Sequence, residues 1–221
     1  METEPAGFSI VPSVFSAEEC AALIQVVSSL RIGRAGARNL LGQPAIAAAA
    51  HDPRLVALAE AAVGGGAVPY RVTLFNKTAS SNWLVSWHQD RSLPLARRFE
   101  AQGWGPWSVK QGVLHAHAPS WALAHVIALR LHLDPSHEGN GPLRVIPGTH
   151  LGGALSQSDA ASFALSRRFV SCVVGLGGVI AMRPLLLHSS PKAASSQPRR
   201  VLHIEYAPGL QLSHQALLAV A

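Results

Sequence analysis

From residue 70 onward the chain consists of short β-rich runs separated by turn residues, and this feature restricts its fold most. The runs cover 70–76, 83–89, 125–133, 143–147, 170–174, 178–187 and 200–207. Their lengths are those of strands, although their spacing is irregular and a long insertion, 91–120, separates two of them. The segment 121–131 is equally compatible with a helix. So many short strands predict a β-sandwich or barrel.

Two helices are predicted ahead of these strands. Ser16 begins a Ser-x-x-Glu capping box, and the apolar residues that follow recur at helical spacing as far as about Leu30. The second helix begins at Asp52-Pro53, a cap followed by proline, and ends at the glycines 64–66. We therefore expect a mainly β fold with flanking helices, in which the N-terminal helices pack on one sheet.

The composition indicates a folded protein of a reducing compartment. Of the 221 residues, 48% are hydrophobic and 14% are charged, which is too apolar for a disordered chain. No stretch approaches the roughly 20 consecutive apolar residues of a membrane span, and the acidic first residues are unlike a secretory signal. Cys20 and Cys172 are expected to be free thiols. We expect a cytoplasmic protein that does not enter a membrane.

The charge balance favours anionic ligands without indicating nucleic acid. The net charge is +6, but basic residues occur as pairs such as Arg97-Arg98 and Arg167-Arg168 rather than as a long tract. Nucleic acid is therefore not an expected partner, whereas a small-molecule substrate of anionic character is compatible with the charge. The oligomeric state cannot be read from the sequence. The 11 histidines, against 12 carboxylates, are unusual and direct the search to metal ligands.

A His-x-Asp pair ends one of the predicted strands. Alternation along that strand places His88 and Asp90 on one face, where both can reach the same metal ion. Alone, such a pair is a weak signal, because ordinary surface pairs produce it often. His188, at the end of another apolar run, is the best candidate for a third ligand. Two histidines and one carboxylate on one side of an ion form the facial triad of non-haem iron oxygenases.

An arginine eleven residues after His188 makes this pattern more specific. Arg199 opens the last predicted strand, and its planar guanidinium can bind a carboxylate through two hydrogen bonds. Alternation places Arg199 on the more polar face of that strand and Arg200 on the more apolar face, with Leu202 and Ile204. A simple burial argument would turn Arg200 inward. The spacing favours Arg199, provided that the apolar face packs beneath the N-terminal helices.

At this point the chain resembles the phytanoyl-CoA dioxygenase-like group of iron(II)- and 2-oxoglutarate-dependent oxygenases. The resemblance rests on Trp-His-Gln-Asp at 87–90, on Asn-Gly-Pro-Leu-Arg-Val-Ile-Pro-Gly-Thr-His at 140–150, and on the segment from His188-Ser-Ser to Arg199-Arg200. It covers roughly residues 7–207. Blocks at 75–78 and 103–108 are most similar to those of small bacterial members of the group.

The resemblance implies a double-stranded β-helix, a cupin-like jelly roll, with defined roles for five residues. His88, Asp90 and His188 would hold Fe(II), Arg199 would pair with the distal carboxylate of the cosubstrate 2-oxoglutarate, and Ser190 would hydrogen-bond it. The implied reaction with O2 hydroxylates a substrate C–H bond and releases succinate and CO2. Related halogenases lack the metal carboxylate, whereas Asp90 is present here, so Asp90→Ala is expected to abolish hydroxylation.

These expectations define one domain over residues 1–221. We expect a helical N-terminal part at 1–68, a jelly-roll core at 69–208 and a C-terminal tail at 209–221.

Several further residues are candidates with ordinary alternatives. Lys77 could meet a carboxylate of cosubstrate or substrate, or be a solvated lysine in a turn. Trp104 and Trp107, in the Gly/Pro-rich insertion, could line the substrate pocket or merely anchor their loop. Arg71 and Arg130 lie in predicted strands and could bind an anion inside the barrel, although surface charge is the commoner role of such residues.

Other histidines carry less functional signal. His115 and His117 repeat the spacing of strand ligands, but without further ligands nearby they indicate a polar loop pair. His203 could contact Arg199 from the same strand.

Two alternative functions remain open from the residues. One is a metalloenzyme of another class on a cupin-like barrel, such as an isomerase or a zinc hydrolase. The other is a non-catalytic module that binds a ligand or nucleic acid. Arg199 with Ser190 discriminates against the first, because neither chemistry needs a site for 2-oxoglutarate. Steep salt dependence without succinate production would indicate the second.

Overall fold

A computed structural model describes residues 5–30, 33 and 36–221. The helices are α1 Ala17–Ser28, α2 Pro44–Ala50, α3 Pro53–Val63, α4 Ser120–Ala124 and α5 Gln157–Ser166. The strands are β1 Phe8–Val11, β2 Gly36–Ala37, β3 Val68–Lys77, β4 Val85–His88, β5 Ser92–Pro94, β6 Trp107–Lys110, β7 Val113–His117, β8 Ile127–His132, β9 Leu143–Ile146, β10 Val170–Cys172, β11 Val179–Met182, β12 Leu187–Ser190 and β13 Arg199–Ala207.

The strands form two principal antiparallel sheets and a smaller third one. The larger sheet has the order β1-β11-β8-β13-β3-β2, and the second has the order β10-β9-β12-β4. The third, β5-β7-β6, is built from the long insertion that follows β4. This arrangement confirms the prediction of a mainly β jelly roll with flanking helices.

The two faces of the larger sheet have different surroundings, as β13 shows. Leu202, Ile204 and Tyr206 share a buried cluster with Leu23 of α1 and Leu55 of α3. Burial of each large apolar side chain contributes about 1.5–3 kcal/mol, so this packing fixes the helices on the outer face. The alternate residues of β13 therefore face the space between the sheets, and the apolar face does pack beneath the helices.

The predicted boundaries of the two N-terminal helices are confirmed by their caps. The Ser16 hydroxyl accepts a hydrogen bond from the Glu19 amide, and the Glu19 carboxylate accepts one from the Ser16 amide at 2.7 Å. Asp52 caps α3 by accepting from the Arg54 amide, and Gly64 ends that helix in the left-handed conformation. Each cap satisfies backbone groups that the helix itself leaves unpaired.

The prediction of one strand at 178–187 is wrong, because this segment contains β11 and the start of β12. β11 belongs to the larger sheet and β12 to the second, and the chain crosses between the sheets in a turn closed by the bond from the Leu186 amide to the Arg183 carbonyl. Pro184 within this turn has no amide hydrogen and cannot continue a ladder. The ambiguous segment 121–131 is likewise divided, into the end of α4 and most of β8.

The end of the chain packs back on the β core. The amide of Ala221 donates to the carbonyl of Tyr70, and Leu218 forms a bridge with Leu95 beyond β5. Cys20 and Cys172 are free and buried, as expected. Among the helices that the structure describes, none is both long and apolar enough to cross a membrane.

Candidate active site

His88, Asp90 and His188 converge at the ends of two neighbouring strands. His88 on β4 lies directly opposite His188 on β12, and their ring centroids are 4.2 Å apart. Asp90 follows β4, where its amide donates to the carbonyl of Pro184 in the turn before β12. Its carboxylate oxygens lie 3.8 Å from Nε2 of His88 and 3.6 Å from Nε2 of His188. One candidate ligand atom from each residue lies within 4.8 Å of the others.

Hydrogen bonds orient both imidazoles toward this common point. Nδ1 of His88 is 2.8 Å from the carbonyl of Ser86, and Nδ1 of His188 is 2.8 Å from the carbonyl of Leu186. Because a carbonyl oxygen only accepts, Nδ1 carries the hydrogen in each ring. Nε2 therefore presents its lone pair toward Asp90, which is the tautomer that a metal ion requires.

The protonation states also suit a cation. Burial lowers the pKa of His188 to about 4, so the ring is neutral at physiological pH. Burial alone would raise the pKa of the Asp90 carboxyl, but His188, His203 and His88 hold it well below the usual range of an aspartate. The site thus offers the neutral imidazole of His188 and an ionised carboxylate, neither of which has a proton to displace, beside the imidazole of His88.

A cavity of about 370 Å³ contains the triad and extends between the sheets. At one end Arg199 is only 3% exposed, although no carboxylate is paired with it among the described residues. Its Nη2 donates to the Ser190 hydroxyl at 3.2 Å and its Nε to the carbonyl of Asn140 at 3.3 Å, whereas the buried Nη1 has no partner in the described chain. Burial lowers the pKa of Arg199 to about 9, which still leaves a cation at neutral pH.

The neighbouring Arg200 points the other way. It forms an ion pair with Asp134, with Nε 2.7 Å from a carboxylate oxygen. Arg199 therefore lines the cavity and Arg200 does not, and the role of Arg199 toward the cosubstrate stays a prediction.

Lys77 lies behind Ser190 rather than in a solvated turn, so the turn interpretation is wrong. It pairs with Arg199 across β3 and β13 and is 1% exposed. Its ammonium donates to the Ser190 hydroxyl at 2.7 Å and to the carbonyl of Pro191. Burial, with Arg199 and Arg130 nearby, lowers the pKa of Lys77 to about 7. Lys77 thus reaches the cavity wall through Ser190.

Arg71 and Arg130 both line the cavity, so surface charge is the wrong interpretation for these two residues. Arg71 forms an ion pair with buried Glu205, which faces it across β3 and β13. Arg130 lies over the ring of Phe75, and its Nη1 is 3.1 Å from Nδ1 of His203. The observed polar neighbour of His203 is therefore Arg130 rather than Arg199.

Trp104 and Trp107 do not line this cavity, which contradicts their prediction as substrate-pocket residues. Their insertion folds into its own small sheet, where both rings pack edge-on against Phe99, with centroids 5.1 and 5.4 Å away. They line a separate surface pocket together with Arg98. The tryptophan of the cavity is Trp83.

The same insertion supplies residues that sequence reasoning placed elsewhere. His115 and His117 lie on β7 rather than in a polar loop, and both line the cavity together with Lys110 of β6. The alternation of His115-x-His117 with apolar neighbours is the strand signal that could have found them. They do not join the ligand cluster of the triad in the described residues.

The family model described as "Phytanoyl-CoA dioxygenase (PhyH)" matches residues 3–201 of this chain. No curated protein matches the sequence.

Solved structures with a similar fold include three bacterial or biosynthetic proteins. AviO1 from Streptomyces viridochromogenes Tue57 is 23% identical, with a TM-score of 0.68, and the match covers 98% of this chain and 94% of that one. HygX from Streptomyces hygroscopicus, crystallised with nickel, 2-oxoglutarate and hygromycin B, is 18% identical, with a TM-score of 0.67 and coverage of 93% and 84%. The non-heme alpha-ketoglutarate-dependent epimerase SnoN from nogalamycin biosynthesis is 18% identical, with a TM-score of 0.66 and coverage of 92% and 78%. At these identities the likeness shows the fold.

Proposed function

Because the chain belongs to the phytanoyl-CoA dioxygenase (PhyH) family, we propose that it is an iron(II)- and 2-oxoglutarate-dependent dioxygenase that hydroxylates a C–H bond of a small molecule. The observation that carries this proposal is the presence, in one cavity, of a His-Asp-His cluster and a buried arginine that has no carboxylate partner among the residues of the structure that are described. Iron(II), 2-oxoglutarate and O2, when bound, supply the oxidation of the C–H bond, with succinate and CO2 as the other products.

The triad fits a divalent iron. His88, Asp90 and His188 present two imidazole nitrogens and a carboxylate from adjacent strand ends, the donor set of a 2-His-1-carboxylate centre. Each histidine donates its Nδ1 hydrogen to a backbone carbonyl, which fixes the orientation of the ring before a metal binds to Nε2. We therefore assign the metal to these three residues.

The region around Arg199 fits the distal carboxylate of 2-oxoglutarate. Its buried Nη1 is an unpaired donor, which is costly unless a ligand satisfies it. The Ser190 hydroxyl accepts from Arg199 and Lys77 and donates to the carbonyl of Gly141 at 2.8 Å. In this proposal Arg199 binds the carboxylate, Ser190 lies beside it, and Lys77 holds both in position. His188 is only 4% exposed, whereas the side chains of His88 and Asp90 are 41% and 32% exposed, so the triad has one buried side and one side open to the cavity.

Hydroxylation is proposed as the reaction because Asp90 supplies the carboxylate ligand that related halogenases lack. A second candidate reaction is epimerisation, because the fold is similar to that of the epimerase SnoN. Mass spectrometry of a converted substrate separates the two, because hydroxylation adds one oxygen atom and epimerisation leaves the mass unchanged.

The test of cosubstrate binding compares two adjacent arginines. Titrating the anaerobic iron(II)-loaded protein with 2-oxoglutarate should produce a weak metal-to-ligand charge-transfer band. Arg199→Gln should weaken 2-oxoglutarate binding by about tenfold or more, because a charge-assisted hydrogen bond is lost. Arg200→Gln is the matched control and should titrate like the wild type, since Arg200 faces Asp134. Equal weakening in both variants would contradict the assignment.

The test of the metal site is Asp90→Ala. Its affinity for iron(II) should fall by more than the roughly 10–100-fold that loss of an outer-shell partner costs, because a direct ligand is removed. Release of succinate should be lost with it. Asp159→Ala, on exposed α5, is the control and should retain wild-type metal affinity. An Asp90→Ala protein that keeps full turnover would remove the triad from the mechanism.

A further inference from the structure

The cavity carries a second group of cations that the proposed iron and 2-oxoglutarate sites do not use. We call it the outer cation cluster, and it consists of Arg38, Arg71, Arg91 and Lys110, all of which line the cavity. Asp90 is the only acidic residue among those described as lining the same cavity. Since Asp90 belongs to the proposed metal site, the outer cluster has an excess of positive charge.

This cluster lies on the opposite side of the triad from Arg199. On β13 Arg199 pairs with Lys77, whereas Glu205, six residues further along the strand, pairs with Arg71. At about 3.3 Å per residue, the two ends of this row are roughly 20 Å apart in backbone terms. His203 lies between them on the strand. Two residues after Asp90, Ser92 pairs with His117 on β7, the strand whose His115 contacts Arg71. Arg199 instead contacts Ser190, which comes two residues after His188.

Two nitrogens of the Arg71 guanidinium are held by neighbouring side chains, and the third, Nη2, is available to a ligand. Its Nε is paired with Glu205, and its Nη1 lies 3.1 Å from Nε2 of His115. Nδ1 of His115 is 3.0 Å from the carbonyl of Val113 and therefore carries the ring hydrogen, so Nε2 accepts from Arg71. Nη2 has no hydrogen-bond partner among the described residues. A guanidinium positioned in this way binds an oxyanion at little conformational cost.

Lys110 is a further cation of the cluster, on the strand next to β7. It pairs with Val113, whose carbonyl lies 3.0 Å from the ring of His115 that contacts Arg71. Burial and the charges of Arg71 and Arg38 lower the pKa of Lys110. Over residues 5–30, 33 and 36–221 no carboxylate lies within ion-pair distance of Lys110, Arg38 or Arg91. A group of like charges at a cavity wall is relieved when an anion binds, and it attracts anions from solution.

We infer that the substrate carries an oxyanion group, a carboxylate or a phosphate, and that Arg71 and Lys110 bind this group on the side of the triad opposite Arg199. The inference rests on the proposed function, because only the assignment of Arg199 to 2-oxoglutarate leaves the outer cation cluster for the substrate. Because the same cavity also contains the proposed 2-oxoglutarate site, the inference concerns the charged group of the substrate rather than its size.

The experiment measures binding of matched probes to the anaerobic iron(II) protein saturated with 2-oxoglutarate. Isothermal titration with benzoate, phenyl phosphate and benzamide compares two oxyanions with a neutral analogue of the same shape. At least one oxyanion should bind about tenfold or more tightly than benzamide, and the better of the two identifies the group. Lys110→Gln should weaken that binding by about tenfold. Arg97→Gln, an exposed arginine of the same insertion, is the control and should have no effect.

Arg71 needs a paired variant, because its removal alone would leave Glu205 buried without a partner. Arg71→Gln combined with Glu205→Gln removes both charges and keeps the sizes of the side chains. This double variant should lose oxyanion binding and keep the charge-transfer band with 2-oxoglutarate. A variant that lost both signals would fail to separate the sites and would count against the inference.

Three results would overturn the inference. Benzamide could bind as tightly as both oxyanions, Lys110→Gln could leave their binding unchanged, or saturation with 2-oxoglutarate could eliminate oxyanion binding, which would place those anions at Arg199. Failure of the proposed function has a different signature, namely oxyanion binding that depends on Lys110 in a protein that forms no charge-transfer band with iron(II) and 2-oxoglutarate.

Discussion

At the residue scale, neighbouring side chains of the same type have opposite roles because strand alternation sends them to different surroundings. Arg199 enters the cavity with no carboxylate partner in the described part of the chain, and Arg200, on the opposite face of β13, is neutralised by Asp134. A buried cation without a counter-ion is unfavourable, so its presence is better explained by a ligand than by stability. The same argument applies to Lys77, whose ammonium is buried beside Arg199.

Replacing Lys77 should change how stability depends on pH. Burial, with Arg199 and Arg130, lowers its pKa to about 7, whereas a lysine in an unfolded chain titrates near pH 10.4. Between these values the unfolded chain binds a proton that the folded chain does not, so wild-type stability gains a rising contribution from pH 7 to about pH 10. Lys77→Met should remove that contribution, as measured by urea unfolding across this range.

The control for this prediction is Lys192→Met, at an exposed lysine. Its stability curve should run parallel to the wild-type curve. If the Lys77→Met curve also runs parallel, Lys77 is not a buried, weakened base.

At the scale of elements, the caps set where the N-terminal helices begin, and burial sets where they pack. The capping box of α1 is a local pattern that the sequence displays in full. α2 and α5 were not predicted, because α2 has no side-chain cap and α5 has no buried residue to give its pattern an apolar face. α2 therefore depends on the burial of Ile46, Ala49 and Ala50 rather than on a local pattern, which is why its sequence does not indicate it.

Removing the cap of α1 should destabilise the protein without changing the site. Ser16→Ala loses the hydrogen bond to the Glu19 amide, and we expect the free energy of unfolding to fall by about 1 kcal/mol. Chemical denaturation measures this directly. Ser28→Ala, at an exposed position near the end of the same helix, should be nearly neutral. An equal loss in both variants would show that the effect is one of helix composition rather than of capping.

At the scale of the whole molecule, the two sheets hold the site between them while helices cover the outer face of the larger sheet. The C-terminal residues return to β3 and β5, so the end of the chain contributes to the same β core. We propose that residues 1–221 form one domain, with the helical part at 1–68, the jelly-roll core at 69–208 and the C-terminal segment at 209–221.

One domain should unfold in one step. We expect a single calorimetric transition whose calorimetric and van't Hoff enthalpies agree. Anaerobic iron(II) with 2-oxoglutarate should raise the transition temperature, because both bind only the folded chain, and EDTA should reverse the shift. Two separable transitions would show that the chain forms more than one domain. A transition temperature that iron(II) and 2-oxoglutarate leave unchanged would contradict the binding site.

Features that depend on local pattern could be predicted from the sequence. Alternation and helical periodicity act over a few residues, so they indicated the caps of α1 and α3, most strands and the pair His88 and Asp90. His188 and Arg199 were candidates from their places along the chain, and the resemblance implied their roles. The tertiary structure was needed to show that Arg71 faces Glu205 across two strands, that Arg130 meets His203, and that Trp104 and Trp107 lie outside the cavity. The first two outcomes depend on the register between strands far apart in the chain, because a shift of one residue turns a strand side chain to the other face. The positions of the two tryptophans depend on how the insertion packs on itself, against Phe99.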